Sequence, residues 1–434
     1  MDRDPGIPNP EAVATAARSG GGFARMFQAL AYRDFRLIWL TQLTNSAANW
    51  MQMVALPILV INLFGGDLAA ASLHVGLVAT VRTAPAMVLG LFSGVVADMW
   101  NRKRILLTTR VLVTALSVWF ATTIVLGSVT LVEVYAFSLI RGATMAFDNP
   151  PRRAMIPSVV PHHVVTNAMA LLTGSQQIMR IIAAGAGGLM IAIAGPGSLF
   201  VTLAVLYFIG IPLVLALRVQ DHERSGYQGM APIFRDIKEA LAFAWSTPAV
   251  RGVLTIAVFF FIFGIAFMQV FAPLLAKGPM GVGNVGFGII VALMGLGGTI
   301  GTLFIAYISP SKRRGITLLL SMGTFGGMLI ILALSTYYPY PLITYLLVLV
   351  LGVGHSVFQP LITTILLQSA PSHMRGRVMA LLSYDRALVS MGAAVAGFTA
   401  AAFGPQLAQI LFGATCILVT AVLVLGYRPL RQMD

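Results

Sequence analysis

The chain has 434 residues, 58% of them hydrophobic and only 10% charged, with a mean hydropathy of +0.88 and a formal net charge of +14. That is too little charge to cover a soluble protein of this length, so the composition marks an integral membrane protein. The bases fall in short clusters between apolar runs, which excludes the continuous basic stripe of a nucleic-acid binder.

Residues 1–31 are polar and rich in Gly, Ala and Pro, which predicts a mobile cytoplasmic tail. Twelve apolar runs of spanning length follow, near 37–63, 74–97, 105–126, 131–148, 165–194, 198–217, 250–276, 285–308, 315–335, 341–367, 379–403 and 406–427. Alternate connections carry the bases: Arg102–Arg104, Arg152 and Arg153, Arg218 through Lys238, Lys312–Arg314, then Arg375 and Arg377. Both ends of the chain are basic too, while the opposite connections are short and nearly uncharged apart from Lys277. The positive-inside rule therefore predicts that both termini are cytoplasmic.

Residues 218–249 form the longest connection and carry Phe234, Ile237, Leu241 and Trp245 at helical spacing, as expected of an amphipathic helix on the cytoplasmic surface. The predicted organisation is a tail (1–31), a six-helix half (32–217), this linker (218–249), a second six-helix half (250–428) and a short tail (429–434). The halves repeat. A shift of 210 positions places Gly142 on Gly352, Pro150 on Pro360, His163 on His373, Met169–Leu172 on Met379–Leu382 and Gly187 on Gly397. An all-α membrane fold of twelve helices in two pseudo-symmetric halves is how many secondary transporters are built, with the site between the halves near the midplane. Cys416, the one cysteine, lies in an apolar run, so no disulfide or thiolate metal site forms.

The stretch Gly90–Arg104 joins spans two and three. Gly90 and Gly94, four apart, predict a close helix contact, echoed by Gly297 and Gly301 in span eight. Asp98 follows, then Arg102, Lys103 and Arg104 at a cytoplasmic edge.

With Gly94, Ala97, Asp98, Arg102 and Lys103 in this loop, the chain over residues 33–428 resembles the major facilitator superfamily; Asn101 stands where Gly is usual. Tyr32–Arg36, Asn49–Gln52, Ala146 and Phe147 leading to Pro150, and Arg375–Val378 look like its branch of macrolide efflux proteins and the enterobactin exporter. The resemblance implies alternating access, and export of a drug-like or siderophore-like molecule by proton antiport. It also implies a multi-pass protein of a bacterial inner membrane, working as a monomer. It makes Gly90, Gly94, Asp98, Arg102 and Lys103 a cytoplasmic gate in which Asp98 pairs with Arg102 and faces the N-terminus of span eleven. The alternative is a static helix-end charge that fixes topology.

Several polar residues lie within the spans. Arg82, Arg141 and Arg180 sit well inside spans two, four and five, where a cation costs at least ~2.5–3.5 kcal/mol on insertion scales. They form either a basic cavity wall for an anionic group or structural pairs with polar neighbours; Asp148 and Glu133 lie nearer the ends of span four. Asp385, with Arg386 beside it, is the best-placed carboxylate for proton coupling, or else one member of a cross-helix ion pair. Asn45, Asn49 and Gln52 make a polar stripe on span one that should face the cavity. Gln269, His355 and Gln359 are candidates from the second half. Phe259, Phe263, Phe267 and Phe271 recur every four residues on span seven, as packing or as an aromatic drug pocket. No metal cluster, nucleophile triad or phosphate loop is present, so neither a cofactor nor ATP hydrolysis is expected. The expected partners are a small-molecule substrate, protons and the bilayer. Movement of lipid or lysolipid is the alternative within transport, and a non-transporting receptor or scaffold the alternative outside it.

Overall fold

The computed structural model describes residues 26–218, 231–308, 314–338, 340–371, 374–382 and 385–427. The described residues form spanning helices α1 (Arg33–Leu63), α2 (Leu68–Met99), α3 (Arg102–Val125) and α4 (Leu131–Ala154). One continuous run, Val165–Leu215, folds back at Gly195, whose φ of 75° is left-handed; the two limbs are α5 (165–194) and α6 (196–215). Then come α7 (Pro248–Lys277), α8 (Gly283–Ile308), α9 (Arg314–Ser335), α10 (Pro341–Ser369), α11 (Asp385–Phe403) and α12 (Pro405–Gly426). By hydropathy alone α4 falls short of a span, because Arg141, Asp148, Arg152 and Arg153 dilute it. Its start is fixed by a capping box in which Thr130 and Glu133 satisfy each other's backbone donors.

With an even number of spans, both chain ends lie at one end of the bundle, here the terminal end; the opposite face is the far end. At the terminal end, residues 1–25 of the expected tail lie outside the described residues. Residues 28–31 form a 3-10 turn whose Ala29 is buried against the start of α5, and the Ala29 N–H donates to Asn167 Oδ1 at 3.0 Å. The linker helix, Ala231–Ser246, docks on the second half. Arg377 donates to Glu239 at 2.6 Å, and Arg251 lies between the rings of Trp245 and Tyr427.

Glycine sets how closely the helices approach. Within the first half, α4 crosses α2 at Gly142, where an added methyl would lie 2.2 Å from the Arg82 carbonyl oxygen. Within the second half, α10 crosses α8 at Gly352, 2.5 Å from that of Met294 on the same measure. Between the halves, α2 meets α11 at Gly76 and Gly397, and α5 meets α8 at Gly188 and Gly288. In both inter-half pairs the two backbones touch, with added methyls under 3 Å from the opposite chain. All four glycines lie toward the far end. There too Gly278 abuts Leu68, and the Lys277 ammonium reaches Asn62 Oδ1 at 3.4 Å. Near mid-span, the Thr80 hydroxyl donates to the Ser390 carbonyl at 3.0 Å, and the Ser390 hydroxyl donates back to the Thr80 carbonyl at 2.9 Å.

The contacts correct the reading of Gly90. A methyl there would meet no described atom within 4 Å, so Gly90 makes no close helix contact with the described residues, whereas Gly297 and Gly301 press on Leu349 and Val353 of α10. The matched crossings pair Arg82 with Met294 and Gly76 with Gly288, a shift of 212, which sets Gly297 opposite Pro85 instead of Gly90. Gly94 lies outside the residues whose surroundings are described. We predict that Gly142→Ala and Gly352→Ala each destabilise the folded protein by about 1–3 kcal/mol through overpacking. Gly90→Ala should leave the thermal midpoint unchanged. Thermal unfolding in detergent, followed by intrinsic fluorescence, checks both.

Candidate transport site

The connection between α2 and α3 is only Trp100 and Asn101. Asn101 Oδ1 accepts from the Arg104 N–H at 3.0 Å, so the residue standing where Gly is usual is an N-cap. Arg102 donates to the Ala154 carbonyl at the end of α4 at 3.0 Å. Lys103 donates to the carbonyls of Leu215 and Leu217 at the end of α6, at 2.9 and 2.6 Å. Two helix C-termini, with their partial negative charge, are thus held by the two bases. The Asp98 side chain lies outside the described residues.

One turn deeper, α1, α3 and α4 share a buried charged cluster. Asp148 accepts from Arg110 at 2.9 Å, from Arg152 and, at 3.2 Å, from Asn45. Arg110 also donates to Asn45 Oδ1 at 3.0 Å, and Arg152 to Gln42. Both arginines are 2% exposed, and the three charges sum to one positive. Arg152 is therefore no loop base. Helix α4 runs through Pro150 and Pro151 to Ala154, and the side chain turns inward, one helical turn after Asp148. Asp148 is likewise no end-of-span acid, and Asn45 is bonded into the cluster. Arg110 was not singled out above; its one sequence signal is a base at the sixth position of the apolar run 105–126.

Arg141 matches the pairing alternative. Its guanidinium donates to the Tyr207 hydroxyl through Nε at 3.1 Å and Nη2 at 2.9 Å, inside the first half. Arg82 and Arg180 differ, because both face the seam between halves. Arg180 is stacked over the Trp50 ring at 5.0 Å from its centroid and lies along Gly295 and Gly298 of α8, with a buried Nε that has no partner. Arg82 borders a cavity of ≈ 20 Å³ together with Gln52 of α1 and Gln269 of α7, room for about one water.

The remaining candidates are spread along the seam and its flanks. Asn49 has a buried Oδ1 without a partner. His355 lies against the rings of Phe260 and Phe325, and Gln359 is exposed. Asp385, the first described residue of α11, accepts the Arg386 backbone N–H at 2.6 Å, and the Arg386 side chain is exposed. Two π-helical turns, Phe260–Gly264 and Phe267–Phe271, interrupt α7, and the Ile265 N–H reaches the Phe260 carbonyl five residues back at 3.2 Å. The second turn carries Gln269. The phenylalanine stripe packs inward: Phe263 and Phe271 both contact the Phe412 ring of α12 at 5.0 Å. Among the described residues no group of three His, Cys, Asp or Glu could hold a metal.

Residues 38–391 match the family described as the Major Facilitator Superfamily. The chain belongs to that superfamily. It is a multi-pass membrane transporter, and the family is one of transporters and not of enzymes. Its superfamily relatives include the multidrug efflux pump Tap of Mycolicibacterium fortuitum, 27% identical over 92% of this chain and 96% of the relative. The staphyloferrin A transporter of Staphylococcus aureus is 22% identical over 88% of this chain and 94% of its own. The enterobactin exporter EntS of Shigella flexneri is 24% identical over 92% of each. The superfamily fold is also that of the nucleoside transporter NupG, at a TM-score of 0.75 and 14% identity over 91% of this chain and 99% of NupG.

Removing Asp148 alone leaves two buried guanidinium groups facing each other. We predict that Asp148→Ala costs about 3–5 kcal/mol. Replacing Arg110 and Asp148 together by Leu should cost less than the single change, because the net charge of the cluster stays at one positive instead of rising to two. Denaturant unfolding of the purified variants, arranged as a double-mutant cycle, measures both.

Proposed function

We propose that this protein exports small molecules by alternating access, coupled to proton entry, and that its cargo is a drug-like or siderophore-like compound bearing a polar or anionic group. The far-end seam carries the reading: two pseudo-symmetric glycine pairs close the bundle on one side, while unpaired polar groups line the seam beneath them. By the positive-inside rule the terminal end is cytoplasmic, so the described arrangement is sealed to the outside. The relatives bearing efflux and siderophore-transport names support this direction and cargo.

In this reading the two six-helix halves rock about the seam, and the linker helix travels with the second half. Asp98 belongs to the cytoplasmic gate, beside Arg102 and Lys103, which brace α4 and α6 as one body. Asp385 is the carboxylate that takes the proton. The protein works as a monomer in a bacterial inner membrane. A lateral groove of ≈ 450 Å³ exists, but it is lined only by α3 and α6 of one half and does not open on the seam, so lipid movement gains no support from it.

In proteoliposomes with an imposed pH gradient, a cationic dye should be expelled only while the gradient lasts, with protons moving the other way. Dye movement without proton movement would overturn the coupling. Asp98→Asn should abolish export at normal expression; unchanged export would overturn the gate role.

A further inference from the structure

Gln52, Arg82 and Gln269 come from three helices and two halves, yet converge on one small cavity. Gln52 is 1% exposed, and neither its Oε1 nor its Nε2 has a partner. Gln269 has a buried Oε1 without a partner. Arg82 makes no hydrogen bond or ion pair with any described residue, in contrast to Arg110, Arg141 and Arg152, each of which is bonded. The other lining is apolar: Met53, Leu56, Pro57, Val75, Val78 and Ala79. An unmade hydrogen bond on a buried amide costs about 1–3 kcal/mol, so the two glutamine amides facing one void beside a cation are expensive unless something fills it.

From this juxtaposition we infer that Gln52, Arg82 and Gln269 form a subsite for one terminal carboxylate of the cargo, held across the two halves just below the far-end seam. This rests on the export reading and adds to it the chemical group that is recognised. The guanidinium presents two parallel N–H donors to a carboxylate, and the Gln52 amide supplies a further donor. The Gln269 and Gln52 carbonyl oxygens accept from a hydroxyl or N–H beside that carboxylate. As described the cavity has room for about one water, so a carboxylate enters it only as the halves part slightly, and the body of the cargo lies toward the terminal end, along the seam that Arg180 and Trp50 border. Because Gln269 is carried on a π-helical turn, a small change in that turn moves it relative to Gln52 and Arg82. Carboxylate release is thereby tied to separation of the halves.

The test uses the full-length protein in nanodiscs and two probes, a xanthene dye with a free carboxylate and the same dye as its methyl ester. Fluorescence anisotropy gives the affinities, and proteoliposome flux gives transport. The wild type should bind the acid about ten- to a hundredfold tighter than the ester, the range of a charge-assisted hydrogen bond. Arg82→Gln should erase that preference while leaving ester affinity in place; Arg82→Lys should keep part of it, and Gln269→Leu should reduce it. The thermal midpoint of each variant shows that it folds. Equal binding of acid and ester by the wild type, no binding of either, or a preference that survives Arg82→Gln overturns the subsite. Acid-selective binding that depends on Arg82, without flux of either dye, keeps the subsite and overturns the export reading.

Discussion

Backbone-on-backbone contact at glycine is the constraint on which the rest of this structure depends. Gly76 on Gly397 and Gly188 on Gly288 bring the two halves within touching distance at the far end, where Leu68 also packs on Gly278. Such a joint gains dispersion energy when closed and, at the glycines themselves, has no side chains to disengage when it opens. Among the described residues the polar bonds that cross it are few: the Thr80–Ser390 pair, Thr83 to Ser390, and Lys277 to Asn62. At about 0.6 kcal/mol for an average hydrogen bond within a membrane, they total roughly 2 kcal/mol. That lies within what differential binding of a ligand or a proton supplies in shifting a two-state equilibrium.

The interior of the first half is built on the opposite principle. The Arg110–Asp148–Arg152 cluster, extended by Asn45 and Gln42, ties α1, α3 and α4 through charge-assisted bonds, and Arg141 ties α4 to α6 through Tyr207. Buried ionic bonds of this kind are costly to break one partner at a time, so these helices move together. Arg102 and Lys103 extend the same bracing to the helix ends. A stiff half with its charges paired meets a seam where Arg82 and Arg180 are only loosely held. The contrast underlies the proposal that Arg82 meets the cargo while Arg110, Arg141 and Arg152 hold the half together.

Much of this was legible in the sequence. The hydropathy runs, the basic connections and the 210-residue repeat together predict the twelve helices and their two halves. The repeat even carries the glycines of the crossings, Gly142 with Gly352. Direction around a helix was harder to read. Asn45 and Gln52, two turns apart on α1, meet different surroundings, Asn45 bonding to Asp148 and Arg110 and Gln52 bordering the cavity, and Arg141 faces into its own half while Arg82 faces the seam. Spacing along one helix does not say which neighbour packs on which face. Arg152 follows a Pro-Pro pair that ordinarily ends a helix, which hides its burial. Gly90 has the spacing of a contact motif but, among described residues, no neighbour. The π-turns of α7 leave no compositional trace, and they are what carry Gln269 to the cavity.

Distance measurement between spin labels across the far end tests the seam most directly. The one native cysteine, Cys416, is buried, so labels are confined to Ser128→Cys and Tyr338→Cys, repeat-related exposed positions in far-end turns of the two halves. In nanodiscs without cargo, a single short distance should dominate, set by the closed glycine seam. Under conditions that support dye export, a second, longer distance should grow in while the short one declines. One unchanging distance in a preparation that transports would contradict a seam that opens and closes.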